Sequence, residues 1–276
     1  MLAPLSGALS PLASRTRISA GFVGAYDAIP SIAAAYSTRR LLTGYTGSLL
    51  RLRRSSDNAE SDFGYTAAGD LDTAAIATWL GGASGYVTTW YDQSGNGRHA
   101  TQATAASQPL YVASGQNGRP LARFDGTNDM LAYSEINLVS ATVFVVGRHS
   151  NTAYGIILSH SITNAQLRYA TDATTVQVVG AERNLGSPSV TGDTSVAHLV
   201  TLRATTSAAQ LALNGSYGSA TAHSDTTFPT DQIGRRLTTS EPLGGDIAEL
   251  VICNADLSGG DRAAAETAAN DYWAIY

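Results

Sequence analysis

The side chains with the densest chemical potential lie in residues 87–101, where an aromatic, β-branched run ends in Asp92-Gln93-Ser94-Gly95-Asn96-Gly97. Carboxylate, amide and hydroxyl groups at this spacing can do one of two things. Asp92 and Asn96 can ligate a sugar or a cation, or they can form a turn whose side chains satisfy buried backbone amides. A calcium loop would carry more acidic side chains at alternating positions, which favours the turn. Arg51, Arg53 and Arg54 form a second cluster, either a platform for an anion or sugar or ion-pair partners for the nearby Asp57, Glu60 and Asp62. His99, His149, His160, His198 and His223 show no metal-ligand spacing and read as solvated or turn residues, so neither a metal nor a cofactor is expected. The chain has no lysine, which excludes a Gly-Lys-Ser/Thr phosphate loop, and it has no Gly-x-Ser-x-Gly elbow.

The elements that must position these groups are mostly short and β-rich. Residues 86–91 form a strand that stops at Asp92. Residues 70–80 fit an amphipathic helix with Asp72 as N-cap and Gly81-Gly82 as terminator. Residues 22–27 read as a strand, 32–36 as helix-prone after Pro30-Ser31, and 49–54 as a half-buried strand with alternating arginines. From residue 109 onward, short runs of strand length recur between turns such as Asn214-Gly215, ending with 232–236 and 245–252, and an Ala-rich helix capped by Ser258 or Asp261 closes the chain. This pattern predicts an all-β fold, an antiparallel β-sandwich with a few short helices and a C-terminal helix, spanning residues 21–276 as one domain.

Composition agrees. Of 276 residues, 43% are hydrophobic and 14% charged, with 27 glycines, which suits many short strands joined by tight turns. A net charge of −5 argues against a nucleic-acid partner. Every basic residue is arginine, which the codon bias of a GC-rich genome explains. Cys253, the single cysteine, sits in a strand-like run and reads as a buried, inert thiol. Residues 1–20 lack the pattern of a signal peptide, and no run is long enough to insert into a membrane. Their leucines, interrupted by Pro4 and Pro11, suggest an arm that is either disordered or docks on a neighbouring subunit, and an oligomer is expected.

Three blocks, Ala35-Tyr36-Ser37-Thr38-Arg39-Arg40-Leu41, Leu52-Arg53-Arg54-Ser55-Ser56-Asp57-Asn58 and Trp90-Tyr91-Asp92-Gln93-Ser94-Gly95-Asn96-Gly97, together resemble the catalytic-domain family of arabinofuranosidase B and its relatives in phage and prophage proteins. Their order and spacing match over roughly residues 25–130. Beyond that the chain resembles concanavalin A-like and laminin-G-like sandwiches more generally.

The resemblance implies a retaining glycosidase, which needs a nucleophile and an acid/base. Ala181-Glu182-Arg183-Asn184-Leu185 is similar to the family's nucleophile motif and places Glu182 at the catalytic position. The family's acid/base aspartate falls in a stretch that reads Ile233-Gly234-Arg235-Arg236-Leu237 here, and arginine cannot deliver a proton near neutral pH. The family's substrate pocket also uses a pair of adjacent cysteines, and Cys253 stands alone in this chain. Asp231 or Asp246 could substitute in space. A concave face carrying aromatic, amide and guanidinium groups suits sugars, and Trp90, Asp92, Asn96, Arg235, Arg236 and Asp246 are the candidates for it.

The expectation drawn from these departures is a non-catalytic, glycan-binding virion surface protein of a phage. It would bind a host surface glycan and contact other virion subunits through residues 1–20, and it would reside in the bacterial cytoplasm before assembly if encoded by a prophage. An α-L-arabinofuranosidase and an inert structural subunit stand as alternatives.

Overall fold

The computed structural model describes residues 21–150, 154–163, 165–170, 175–179, 189–224, 227–235 and 241–276. Residues 1–20, expected to form an arm, Glu182 and Arg236 lie outside them. In chain order the described elements begin β1 Ile32–Ser37, β2 Leu50–Arg54, β3 Glu60–Phe63, α1 Thr73–Leu80, β4 Gly85–Trp90, β5 Ala100–Thr101, β6 Leu110–Val112, β7 Leu121–Asp125, β8 Leu131–Leu138 and β9 Ala141–His149. They continue β10 Gly155–Ser159, β11 Gln166–Tyr169, β12 Thr175–Val179, β13 Ser189–Thr191, β14 His198–Ala204, β15 Ala208–Leu213, β16 Ser216–Tyr217, β17 Thr221–Ala222, β18 Phe228–Ile233, β19 Gly244–Cys253 and α2 Gly259–Trp273.

Antiparallel ladders arrange these strands in two layers. The first runs β3-β2-β4-β6-β7-β19-β9-β14-β15, and the long β19 pairs with β7 along its first half and with β1 along its second. The second runs β8-β18-β10-β11-β12-β13. The two-residue β5 stitches the layers together on one side, pairing Trp90 with Ala100 and Thr101 with Ala132. The sandwich inferred from strand length and turn spacing is therefore the fold.

Alternation along each strand divides the apolar side chains between two cores. Val143, Val145, Val200, Leu202, Leu250 and Ile252 point between the sheets, where Trp90 and Tyr36 also lie. Phe144, Val146, Leu199, Val251 and Cys253 point to the other side, where Trp273, Ala265 and Ala269 of α2 cover them. Strands β9 and β19 are thus packed on both faces, and their near-continuous apolar text follows from that. Burial pushes the Cys253 thiol up to about 12, as befits an inert cysteine.

Two local expectations are corrected. Residues 32–36, read as helix-prone, form β1, because pairing with the second half of β19 and burial on both faces override the helix preference of an alanine run. Residues 22–27, read as a strand, form a turn instead. Asp27 organises it by accepting from the Gly24 and Thr43 amides, and the Tyr26 amide bonds the Leu41 carbonyl. The predicted caps hold: Asp72 accepts from the Ala75 amide, Gly81 ends α1 in the left-handed region, and Ser258 caps α2.

Beneath α2, Glu249 of β19 is fully buried and accepts five hydrogen bonds. They come from Arg39 Nε at 2.7 Å and Nη2 at 2.9 Å, Tyr26 Oη at 2.7 Å, Ser37 Oγ at 2.9 Å and Trp273 Nε1 at 3.1 Å. Burial alone would raise this carboxyl, but the Arg39 guanidinium and the hydrogen bonds outweigh it and hold Glu249 below the usual glutamate range. Arg39→Met would strand this carboxylate, and a loss of about 3–5 kcal/mol in chemical denaturation is expected. The double variant Arg39→Met/Glu249→Gln should recover part of that loss.

A second buried group makes the fold acid-sensitive. His198 Nδ1 donates to the Val196 carbonyl at 2.8 Å and Nε2 accepts from Tyr169 Oη at 2.8 Å, while burial drives its pKa down to about 4. The unfolded chain takes up this proton near pH 6.5 and the folded one does not, so stability present above pH 6.5 is lost as pH falls toward 4. Roughly 3 kcal/mol is at stake, and denaturation curves of His198→Gln should be flatter across that window than those of the parent.

Candidate active site

The turn after β4 is a fastening. Asp92 is buried, and its Oδ1 accepts from the Ala35 and Ser94 amides while its Oδ2 accepts from the Arg98 amide and Ser94 Oγ, all at 2.8–3.0 Å. Asn96 Nδ2 donates to the Ile32 and Ala33 carbonyls. Gln93 donates to the Arg39 carbonyl and accepts from the Leu41 amide. Trp90 is wholly enclosed against Tyr36. Trp90, Asp92 and Asn96, the ligand-binding candidates of the sequence, are thus placed in the framework of this turn. Asp92 and Asn96 bond the turn and β1, and the Trp90 ring, fully enclosed, has no face left for a sugar.

Asp246 is also placed structurally. Its carboxylate is gripped by Arg123 Nε at 2.7 Å and Arg148 Nη2 at 2.7 Å on the outer side of the first sheet. Of the second arginine cluster, Arg51 pairs with Asp62 and Arg54 with Asp57, while Arg53 bonds Gln108 and Asn58.

The outer face of the second sheet carries groups suited to chemistry. A single register row crosses it through Val179, Gln166, Ser159, Gln232 and Ala132. Where β10 ends on that row, His160 is buried, with Nδ1 accepting from the Thr163 amide at 3.1 Å. In the neutral ring its proton is therefore on Nε2, directed at Glu135 Oε2, 3.3 Å away. Asp231 Oδ2 lies 3.9 Å from the same Nε2, so the two carboxylates stand no more than about 7 Å apart.

Asp231 is occupied, taking the Ser161 amide at 2.8 Å and its hydroxyl at 2.6 Å, whereas Glu135 is half-exposed with one oxygen outside any protein hydrogen bond among the described residues. Ser159 Oγ donates to the Arg235 carbonyl at 3.2 Å, which brings Arg235 to the β10 end that carries His160. Nearby on this sheet Arg168 stacks on Tyr154 at 4.3 Å and reaches Glu241 at 3.7 Å. Among the described residues no group of three or more His, Cys, Asp or Glu side chains is placed to hold a metal ion.

Glu135 escaped the sequence reading, and His160, read there as a solvated or turn residue, is buried instead; the two converge only through the β8–β18–β10 ladder. Of the two aspartates named as spatial substitutes for the acid/base, Asp231 lies beside His160 with both oxygens engaged by Ser161, and Asp246 lies on the other sheet. Glu182 and Arg236 lie outside the described residues.

The fold and this face define a class, a concanavalin-like antiparallel β-sandwich with a row of buried polar side chains on one sheet. The chain belongs to the family of α-L-arabinofuranosidase B catalytic domains, whose family model matches residues 23–182. It is 34% identical over 145 residues to alpha-L-arabinofuranosidase B of Aspergillus niger, covering 51% of this chain and 25% of that protein, and 32% identical over 155 residues to the Aspergillus oryzae enzyme, covering 55% and 27%. The matched stretch thus spans about a quarter of the length of these curated relatives.

Among solved structures, an arabinofuranosidase complexed with arabinofuranosyl-alpha-1,2-xylobiose superposes with a TM-score of 0.66 at 17% identity, covering 88% of this chain and 63% of that one. A GH54 α-L-arabinofuranosidase soaked with a cyclic sulfate inhibitor gives 0.68 at 19%, with the same coverage. At such identity these two share the fold. The expectation of a phage virion surface protein is overturned by the family match and the relatives, all of which point to an arabinofuranosidase domain.

Since Asp92 satisfies buried amides, Asp92→Ala should cost about 1–3 kcal/mol in thermal or chemical unfolding. Unchanged stability would show that the turn is not the fastening described.

Proposed function

We propose that this chain is a glycoside hydrolase of the α-L-arabinofuranosidase type, acting at the outer face of the second sheet. The observation that carries this reading is the family match over residues 23–182. Glu182, at the position that the family resemblance gives to the nucleophile, attacks the anomeric carbon. Glu135 serves as acid/base in place of the family aspartate, whose position Arg236 holds in this sequence. Its support is local: one carboxylate oxygen faces His160 Nε2 at 3.3 Å and the other takes no protein hydrogen bond among the described residues. Asp231 fixes Ser161 and flanks the imidazole, and so positions His160 without meeting the substrate.

Two substrates separate the roles. An aryl arabinofuranoside with a good leaving group needs little protonation, whereas an alkyl arabinofuranoside needs an acid. Glu182→Gln should abolish turnover of both. Glu135→Gln should lower release of the alkyl leaving group by about 10²–10⁴-fold and the aryl one far less. Absence of turnover by the parent protein on both substrates sinks the hydrolytic reading, and equal losses in Glu135→Gln sink the assignment of Glu135.

A further inference from the structure

The other broad face of the sandwich holds an unassigned feature. On the outer side of the first sheet one transverse row of side chains crosses six strands: Arg53, Tyr86, Leu110, Arg123, Asp246 and Arg148 are register neighbours in turn. At the usual strand spacing the row is about 24 Å long. Two hollows lie along it and share Arg123 as their common wall, one of 550 Å³ over Arg53, Tyr86 and Leu110, the other of 170 Å³ beside Asp246 and Arg148.

Its groups are set in advance. The Arg53 guanidinium stacks on the Tyr86 ring at 4.9 Å and is fixed by Gln108 at 2.6 Å and Asn58 at 2.9 Å. Asp246 holds Arg123 and Arg148. Asp125 and Asp129 line the larger hollow; Asp129 is buried yet spends only Oδ2, on the Asp125 amide at 2.9 Å, among the described residues. Arg53, Arg123 and Arg148 balance Asp125, Asp129 and Asp246, so the trough has matched charge. That composition gives a polyanion no net attraction and offers hydroxyl groups a series of oriented donors and acceptors beside a planar stack.

We infer that this trough is a binding site for an extended neutral oligosaccharide chain, lying across the strands from Tyr86 past Arg123 to Arg148. It is separate from the proposed hydrolytic face and does not depend on it. Burial and the Asp125 carboxylate push the Asp129 carboxyl up to about 6, so near neutral pH a fraction of molecules present an O–H donor and the rest an acceptor, either of which a sugar hydroxyl can meet.

The test is affinity electrophoresis and calorimetry of the full chain with a linear neutral xylo-oligosaccharide, with polygalacturonate as the polyanionic control. Binding of the neutral chain and a loss of at least about 10-fold in each of Tyr86→Ala and Arg123→Ala are expected. Circular dichroism confirms that each variant is folded, and Gln108→Ala serves as a milder variant should either of them fail to fold. Aryl arabinofuranoside turnover should be unchanged in Tyr86→Ala, so that failure of the trough and failure of the hydrolytic reading are read separately. No binding by the parent, undiminished binding in the folded variants, or preference for polygalacturonate would each overturn the inference.

Discussion

A carboxylate placed where water cannot reach it is the constraint on which this structure turns. Glu249 sits in the middle of the longest strand, and a bare charge there would be untenable. Its five donors come from four separate parts of the chain: the turn before β1 gives Tyr26, the end of β1 gives Ser37, the segment after it gives Arg39, and the last turn of α2 gives Trp273. The helix and the N-terminal turn can dock on the first sheet only in the arrangement that completes this shell. The same docking closes the second core, so the polar and apolar parts of the layer specify one another.

The segment that feeds Arg39 into this shell is itself pinned by Asp92 and Gln93, which bond the backbone on either side of it. Two of the three sequence blocks that announce the family, residues 35–41 and 90–97, therefore meet in space around β1, while residues 52–58 lie on and after β2 beside β4, and what they share is framework. Their polar residues mostly answer backbone amides and buried charges. The candidate catalytic groups lie on other strands, β8, β18 and the end of β10 in the second sheet.

Much of the fold was legible in the residues because period, caps and turns are local. Asp72 with Gly81 bounded α1, Ser258 began α2, and Asp92 stopped β4. The alanine run of β1 was misread because a strand packed on both faces shows no alternation, and only its partner β19 reveals it. The site was less legible, for a reason of distance. Glu135, His160 and Asp231 are far apart in sequence, and a β-bulge between β8 and β18 sets which side chains face one another. The same holds for the row from Arg53 to Arg148, which no single stretch of sequence contains.

The absence of lysine has a consequence at the alkaline end of the pH scale. Pairs made by ammonium groups dissolve as pH climbs past about 10.4, while guanidinium groups stay charged throughout. The contacts of Arg39, Arg123, Arg148 and Arg203 with their carboxylates are therefore insensitive to base. What titrates instead is the enclosed phenols and the thiol. Burial holds Tyr26 and Tyr36 well above 10 and Cys253 near 12, so the unfolded chain releases these protons before the folded one does. Stability is intact below the ordinary values of those groups and drains away as pH rises beyond them. The alkaline limit of this protein is set by its buried acids, while its salt bridges outlast the fold they support.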